Sequence, residues 1–442
     1  MTTLFGTDGV RGTANSLLTP ELAISLARAT AARMMPEGGR IIIGRDPRSS
    51  GPMLESALAA GFASAGVDVC LAGVIPTPAI SFLIKDERAD LGAVISASHN
   101  PPGDNGIKFF DPLGMKLSIA DEETIEASLG RARPASARVG TIGALEAAAT
   151  RYAAFLTGTI DMDRIDLSGA TIVVDCAFGA TSVVAPHVLR HLGARVIPLH
   201  GTPDGDRINQ ECGSTHLVTL RAAVLEHGAD LGVAFDGDGD RVMLIAADGS
   251  TIDGDRMIGV AAMHMMETGA MASPAVVTTI MSNLGLETWL ADRGIDVVRT
   301  PVGDRYVSRA MRERGLKLGG EPSGHVIFSE FSPTGDGILT AVKLLEIAHE
   351  RNADLGELAK SVTLYPQILR NVPVEAATAV AERDEVRRAV ADATESLGGN
   401  GRVVVRASGT QPLVRIMVEA DREETCIEVA ARIEAVIRSA AG

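Results

Sequence analysis

The most ordered feature of the chain is a pattern of apolar runs that occurs three times. Ile41, Ile42 and Ile43 form a run without polar interruption, which predicts a short buried strand. A helical stretch over about 52–65 follows, then Gly66-Val67-Asp68-Val69 as a second strand. The series restarts at Ile172-Val173-Val174, with a helix over about 181–192 and Gly193-Ala194-Arg195-Val196. It begins a third time at Ala275-Val276-Val277, with a helix over about 284–293 and Gly294-Ile295-Asp296-Val297. Each copy reads strand, loop, helix, closing glycine, strand. Fully apolar strands alternating with helices predict parallel α/β layers rather than a half-solvated antiparallel sheet.

The pattern changes after about residue 365. Val403-Val404-Val405-Arg406 and Val414-Arg415-Ile416-Met417-Val418 read as two strands around a loop, followed by a helix over about 423–439. This predicts a smaller α+β domain. The expected division is 1–150, 151–250, 251–365 and 366–442. A length of 442 residues alone would suggest roughly three domains.

Composition narrows the function. Asp and Glu outnumber Lys and Arg by 56 to 41, a net charge of −15, and aromatic residues are 3%. An acidic chain poor in stacking side chains is unsuited to nucleic acid or to anionic membranes. An anionic ligand would need positive charge gathered locally. The start, MTTLFGTDGV, has neither a basic nor an apolar leader region. Cys70, Cys176, Cys212 and Cys426 are far apart and form no CxxC pair. Both features predict a cytoplasmic protein with free thiols.

Four loops carry candidate chemistry. Asp236-Gly237-Asp238-Gly239-Asp240-Arg241 follows the predicted strand 231–235, at the strand end where open α/β sheets place ligands. Three carboxylates in five residues repel one another unless a hard divalent cation joins them. The EF-hand spacing fails, because Arg241 stands at its sixth position and Ala247 at its twelfth. Ile95-Ser96-Ala97-Ser98-His99-Asn100-Pro101-Pro102 follows a second apolar strand, with Lys108 close behind. Its serines lack an evident triad base and suit acyl transfer poorly. Gly319-Gly320-Glu321-Pro322-Ser323-Gly324-His325 offers hydrogen bonds for vicinal hydroxyls, and His325 is a candidate base. Arg406-Ala407-Ser408-Gly409-Thr410-Gln411-Pro412, with Arg415 beyond it, has the makings of an anion cradle. Taken singly, the serine and arginine loops would pass as ordinary turns.

Taken together with Phe5-Gly6-Thr7-Asp8-Gly9-Val10-Arg11-Gly12, these loops resemble the α-D-phosphohexomutase superfamily, in the same order from residue 4 to about 420. The resemblance implies three repeated α/β domains with mixed, largely parallel sheets, plus the smaller C-terminal α+β domain, around a central cleft. It implies that Ser98 carries a phosphate, gives it to a hexosamine monophosphate, and recovers the other phosphate from the bisphosphate intermediate. The expected net reaction interconverts glucosamine 6-phosphate and glucosamine 1-phosphate. One Mg²⁺ per subunit is expected at Asp236, Asp238, Asp240 and a phosphoserine oxygen. Arg11, Lys108 and Arg241 are expected to neutralise charge, His99 to belong to the catalytic group, and His325 and Lys108 to compete as general acid and base. Gly303 and Asp304, within Val302-Gly303-Asp304-Arg305-Tyr306, match a further loop near the sugar. Glu321 and Ser323 would read ring hydroxyls, and Arg406, Ser408, Gly409, Thr410 and Arg415 would grip the other phosphate. Gln411 departs from the family, which usually has Glu there. The rival readings are a glucose or mannose phosphate mutase, a phosphosugar-binding protein without activity, and a phosphatase. Oligomeric state stays open, a homodimer included.

Overall fold

The three closing glycines do what the pattern requires of them. Gly66, Gly193 and Gly294 take left-handed φ values of 86°, 99° and 74°. Each N–H reaches back to a carbonyl of the helix just ended, at 3.0 Å. The chain can then turn directly into the next strand. The computed structural model describes residues 4–6, 8–130, 138–161, 165–408 and 412–441.

The first sheet contains β1 (Val10–Thr13), β2 (Gly39–Arg45), β3 (Val67–Val74), β4 (Leu91–Ile95), β5 (Asp104–Phe110) and β6 (Ile142–Ala144), in the order β1-β5-β4-β2-β3-β6. β4, β2, β3 and β6 run parallel, while β5 is antiparallel to both of its neighbours. The second sheet contains β7 (Thr171–Asp175), β8 (Arg195–Leu199), β9 (Leu231–Phe235), β10 (Val242–Ala246) and β11 (Thr251–Ile252), in the order β11-β10-β9-β7-β8. The third contains β12 (Ala275–Thr279), β13 (Asp296–Thr300), β14 (Leu318–Gly320) and β15 (Val326–Phe328), in the order β13-β12-β14-β15. Read from their antiparallel ends, the three share one plan: β5-β4-β2-β3, β10-β9-β7-β8 and β15-β14-β12-β13. The central strands are apolar through their middle residues because both faces are covered there; Ile41, Ile42, Ile43, Ile172, Val173 and Val174 are wholly buried.

This shared plan positions the chemistry. The serine loop joins β4 to β5, the triple-Asp loop joins β9 to β10, and the Glu321–His325 loop joins β14 to β15. All three are the same connection, from a parallel strand to its antiparallel neighbour.

The fourth sheet is antiparallel, with β16 (Gln367–Pro373), β17 (Gly401–Ala407) and β18 (Leu413–Ala420) in the order β16-β18-β17. Alternate residues Val414, Ile416 and Val418 pack with Cys426, Ala430, Ile433 and Ile437 of the helix Glu423–Ala441.

Two expectations are modified. The helix expected over 181–192 is a short 3₁₀ turn, Ala180–Ser182, followed by a helix Ala185–His191. Pro186 lacks an N–H and its ring would clash with a carbonyl one turn earlier, so the helix begins there instead of running through. The helix Leu284–Ala291 was expected in the third α/β copy. By packing it belongs with 361–442: residues 282–296 and 361–442 form one compact unit, and 1–281 with 297–360 form the other. Asn283 exchanges hydrogen bonds with both the N–H and the carbonyl of Tyr365, at 2.8 and 2.9 Å. Thr251 and Ile252 also pair with β10, so the second sheet extends just past residue 250.

Candidate active site

Ser98 lies near the start of the loop between β4 and β5, 1% exposed, with a left-handed φ of 51°. Its Oγ donates to Asp236 Oδ2 at 2.5 Å. His99 Nδ1 lies 3.3 Å from the same Oγ and 3.2 Å from Arg241 Nη1. Burial, then the charges of Arg241 and Arg11, push the His99 imidazole down to about 4, so near neutrality it is uncharged and accepts from the guanidinium.

The three aspartates converge. Asp236, Asp238 and Asp240 are buried, and one carboxylate oxygen from each lies within 4.8 Å of the others. Gly237 leaves room for the serine loop, since a Cβ there would meet the Ser98 carbonyl at 2.7 Å. Burial, followed by Asp240 and Asp238, raises the Asp236 carboxyl well above the ordinary value of 3.8. Oδ1 of Asp238 and Oδ1 of Asp240 are buried with no hydrogen-bond donor among the described residues. Buried, mutually repelling carboxylates with unused oxygens fit a hard divalent cation.

Positive charge surrounds the triad. Lys108 Nζ lies 3.0 Å from Asp238 Oδ2, 3.3 Å from Asp8 Oδ2 and 3.8 Å from Asp240 Oδ2. Burial opposes its charge, but Asp238, Asp8 and Asp240 prevail and raise its pKa, so it stays an ammonium. Asp8 also pairs with Arg11 and Lys116. Burial works against the Asp8 carboxylate, yet Lys108, Lys116 and Arg11 hold it well below the usual range. Lys116 continues to Asp304 at 2.5 Å, and Asp304 lies 3.8 Å from His325 Nε2. His325 Nδ1 lies 3.8 Å from Asp240 Oδ2, which closes a ring of ionisable groups: Asp8, Lys108, Asp240, His325, Asp304, Lys116. Burial lowers the His325 pKa, but the carboxylates of Asp240, Asp304 and Glu321 raise it overall. Its Nε2 accepts the Gly335 N–H at 3.0 Å. The ammonium of Lys108 suits charge compensation, while an Nε2 that accepts an N–H belongs to a neutral imidazole.

Glu321 Oε1 accepts the Gly303 N–H at 3.1 Å, which ties together two of the loops expected near the sugar. Ser323 Oγ is buried with no partner among the described residues. Thus Ser98, His99, Lys108, Arg11, Arg241, Asp236, Asp238, Asp240, His325, Asp304, Gly303 and Glu321 form one connected constellation. Arg406, Ser408 and Arg415 lie in the other compact unit, where Arg406 and Arg415 sit directly opposite each other across β17 and β18. Gly409, Thr410 and Gln411 lie outside the described residues.

Comparison with known proteins agrees with this arrangement. Domain models described as phosphoglucomutase/phosphomannomutase alpha/beta/alpha domains I, II and III match residues 2–135, 150–249 and 253–365. The C-terminal domain of the same family matches 369–436. The chain belongs to the phosphoglucomutase/phosphomannomutase family. Among its relatives, a phosphoglucosamine mutase of Thermobifida fusca is 49% identical over 446 residues, covering 99% of this chain and 98% of the relative. One from Mycolicibacterium paratuberculosis is 47% identical over 444 residues, covering 99% of each. A solved phosphoglucomutase/phosphomannomutase family protein from Burkholderia thailandensis superposes with a TM-score of 0.83 at 25% identity, covering 100% of this chain and 98% of its own. The fold is also that of an Aspergillus fumigatus N-acetylphosphoglucosamine mutase solved with GlcNAc-6P and magnesium, with a TM-score of 0.70, 17% identity, and coverage of 99% and 96%.

In this member of the phosphoglucomutase/phosphomannomutase family, sequence reasoning missed several residues around the constellation. Arg48 and Asn209 both bond the Ser98 carbonyl, at 3.0 and 2.8 Å. Thr77 Oγ1 donates to Asp238 Oδ2 at 2.6 Å. Arg305 makes a two-pronged pair with Glu122, at 2.7 and 3.0 Å. One signal was present: Asp46-Pro47-Arg48 ends β2 on the side of the sheet where the serine loop leaves β4. A second group of metal-ligand type, Asp175, His200 and Cys212, also exists. There Asp175 already accepts the N–H groups of Ala177 and Gly213 at 2.9 and 2.8 Å. Burial, then Asp175, pushes the Cys212 thiol up to about 12. That cluster is a loop brace.

Proposed function

We propose that this chain interconverts glucosamine 6-phosphate and glucosamine 1-phosphate, with Ser98 as the phosphoryl carrier. The observation that supports this most directly is the buried Ser98 hydroxyl, 2.5 Å from Asp236 within a triad of carboxylates and beside a charged lysine. Full-length relatives at 47–49% identity that bear the name phosphoglucosamine mutase support the amino-sugar substrate.

In this reading the phosphoryl group leaves Ser98 Oγ for the free hydroxyl of the sugar monophosphate. The sugar bisphosphate then turns, and Ser98 Oγ takes its other phosphoryl group. Each transfer breaks one P–O bond and forms another, so the cycle is balanced without water. A Mg²⁺ held by Asp236, Asp238 and Asp240 would supply Lewis-acid charge at the transferring group. Lys108, Arg11 and Arg241 offset the negative charge that the carboxylates and phosphate bring together. Glu321, Ser323, Gly303 and Asp304 read the sugar, and Arg406, Ser408, Gly409, Thr410 and Arg415 grip the phosphate not in transfer. We assign these roles to the segments 1–150, 151–250, 251–365 and 366–442 in turn: serine, metal, sugar and phosphate. A cytoplasmic setting accords with this substrate, and no helix among the described residues is long and apolar enough to cross a membrane.

The test is kcat/KM for glucosamine, glucose and mannose phosphates side by side, with intact mass before and after phosphatase treatment. Phosphate on Ser98 and a preference for the amino sugar are expected. Equal values for the three sugars would replace the substrate assignment, and an active enzyme without phosphate on Ser98 would overturn the mechanism.

A further inference from the structure

Ser98 adopts a left-handed backbone that residues bearing a Cβ populate rarely, so something must hold it there. Both of its peptide groups are held. Its N–H donates to Ser96 Oγ at 2.9 Å, and Ser96 Oγ donates to Asp46 Oδ2 at 2.6 Å. Its carbonyl accepts from Arg48 Nη2 at 3.0 Å and from Asn209 Nδ2 at 2.8 Å.

Arg48 does more than cap one carbonyl. It is wholly buried, and Nε donates to Asp46 Oδ2 at 2.8 Å. Nη2 also reaches the Asn100 carbonyl at 2.8 Å. Nη1 reaches the Asp104 carbonyl at 2.8 Å and the Pro101 carbonyl. One planar guanidinium therefore gathers four carbonyls, of residues 98, 100, 101 and 104, and fixes the whole loop between β4 and β5. Only a rigid fork with five donors can do this; a lysine ammonium is a single point with three. The charge of Arg48 is matched by Asp46, so the pair contributes shape here and little net field.

Asn209 brings a second restraint from the neighbouring α/β segment. Its Nδ2 bonds the carbonyls of Ser98 and Asn100, at 2.8 and 3.1 Å. Asn209 is itself left-handed, in a segment where His200, Glu211 and Gly213 are also left-handed. Asp175 braces that segment through Ala177, Gly213 and His200.

We infer that Arg48, assisted by Asn209, is a positioning residue for phosphoryl transfer: it holds the serine loop so that Ser98 Oγ faces the aspartate triad. This rests on the reading of Ser98 as the phosphoryl carrier. Neither side chain touches the triad carboxylates, so its loss should lower the rate of transfer more than the affinity for sugar phosphate.

The test uses the full chain with Arg48→Lys, Arg48→Met and Asn209→Ala. Arg48 is wholly buried, so Asn209→Ala, at a partly exposed position, carries the test independently of core folding. The measurements are kcat and KM for glucosamine 6-phosphate, melting temperature, and the rate at which Ser98 gains phosphate from glucosamine 1,6-bisphosphate. Displacement of a reacting group by about an ångström costs about a hundredfold. A fall of that order in kcat and in phosphate gain is expected for Arg48→Met, with KM within about threefold. A smaller fall is expected for Asn209→Ala, and partial recovery in Arg48→Lys relative to Arg48→Met. Wild-type kcat in Asn209→Ala and Arg48→Lys, or losses that follow only the melting temperature, would overturn the inference while phosphate still appears on Ser98. An active Ser98→Ala would instead overturn the reading on which it rests.

Discussion

Asp336 gives the structure a pH dependence that can be worked through. It caps the helix Gly337–Glu350, with Oδ1 accepting the Leu339 N–H at 2.9 Å and Oδ2 accepting the Tyr152 hydroxyl at 2.7 Å. It is 1% exposed. Burial, only partly offset by the Leu339 N–H and the Tyr152 hydroxyl, raises its pKa from the ordinary 3.8 to about 6. The fold therefore favours the neutral acid. Its contribution is fully present below about pH 3.8 and is lost as pH rises through about 6. A gap of about two units corresponds to about 3 kcal/mol between those limits. Asp336→Asn keeps the oxygen that caps the helix and cannot ionise. Denaturant melts of wild type and Asp336→Asn at steps from pH 4 to pH 8 are the assay. The variant's stability relative to wild type should climb by about 2–3 kcal/mol across that range, most steeply near pH 5, midway between the unfolded and folded values. Any fixed cost of the amide facing Tyr152 shifts the whole difference curve without changing its slope. A difference curve that is flat from pH 4 to pH 8 would refute the reasoning. The same cap bears on the site, because the next residue's N–H, Gly337, donates to the Gly239 carbonyl in the triple-Asp loop at 3.0 Å.

Three further outcomes follow from the site. Asp238→Asn should raise the Mg²⁺ concentration for half-maximal rate by about tenfold or more, the effect of losing one charged ligand, with the fold intact; an unchanged Mg²⁺ titration would contradict this. Arg415→Ala should raise KM for the phosphosugar by about ten- to a hundredfold, as expected for a lost charge-assisted hydrogen bond, and leave unphosphorylated sugar binding unchanged; equal weakening of both ligands would mark a structural effect. Gly335→Ala should lower kcat, because a Cβ there would lie 2.5 Å from the His325 ring and must displace it; wild-type turnover would show that the imidazole's position is immaterial.

Much of this was legible in the sequence because local chemistry carried it. Unbroken apolar triplets followed by a closing glycine announced the buried parallel strands, and the clustered aspartates announced a convergent buried triad able to hold a cation. The shared position of the three functional loops was implicit in the same repeat, but it became visible only with strand order. Arg48 was only faintly legible, through its place beside Asp46 after β2, for a different reason. Apart from Asp46, its partners lie some fifty residues away and are backbone carbonyls, which every sequence has and none advertises. The pairs between Lys116 and Asp304 and between Arg305 and Glu122 are likewise products of folding. The helix Leu284–Ala291 followed its local pattern correctly as a helix, while its packing partner was set by Tyr365, Arg402 and Glu419 far along the chain.

That last placement makes the C-terminal unit discontinuous in sequence. A stop codon at residue 361 would remove residues 361–442 and strand 282–296, whose partners are gone. Leu284 N–H would lose Glu419 Oε2 at 3.1 Å, and the Ser282 carbonyl would lose Arg402 at 2.5 Å. Gly285, whose Cα approaches the chain so closely that a Cβ would lie 2.5 Å from the Tyr365 nitrogen, would face solvent. Conversely, a gene fragment for 361–442 would encode a sheet lacking one of its own helices. Such a unit can be neither deleted nor transplanted by one cut. Any attempt to move it between proteins must carry two pieces of the gene together.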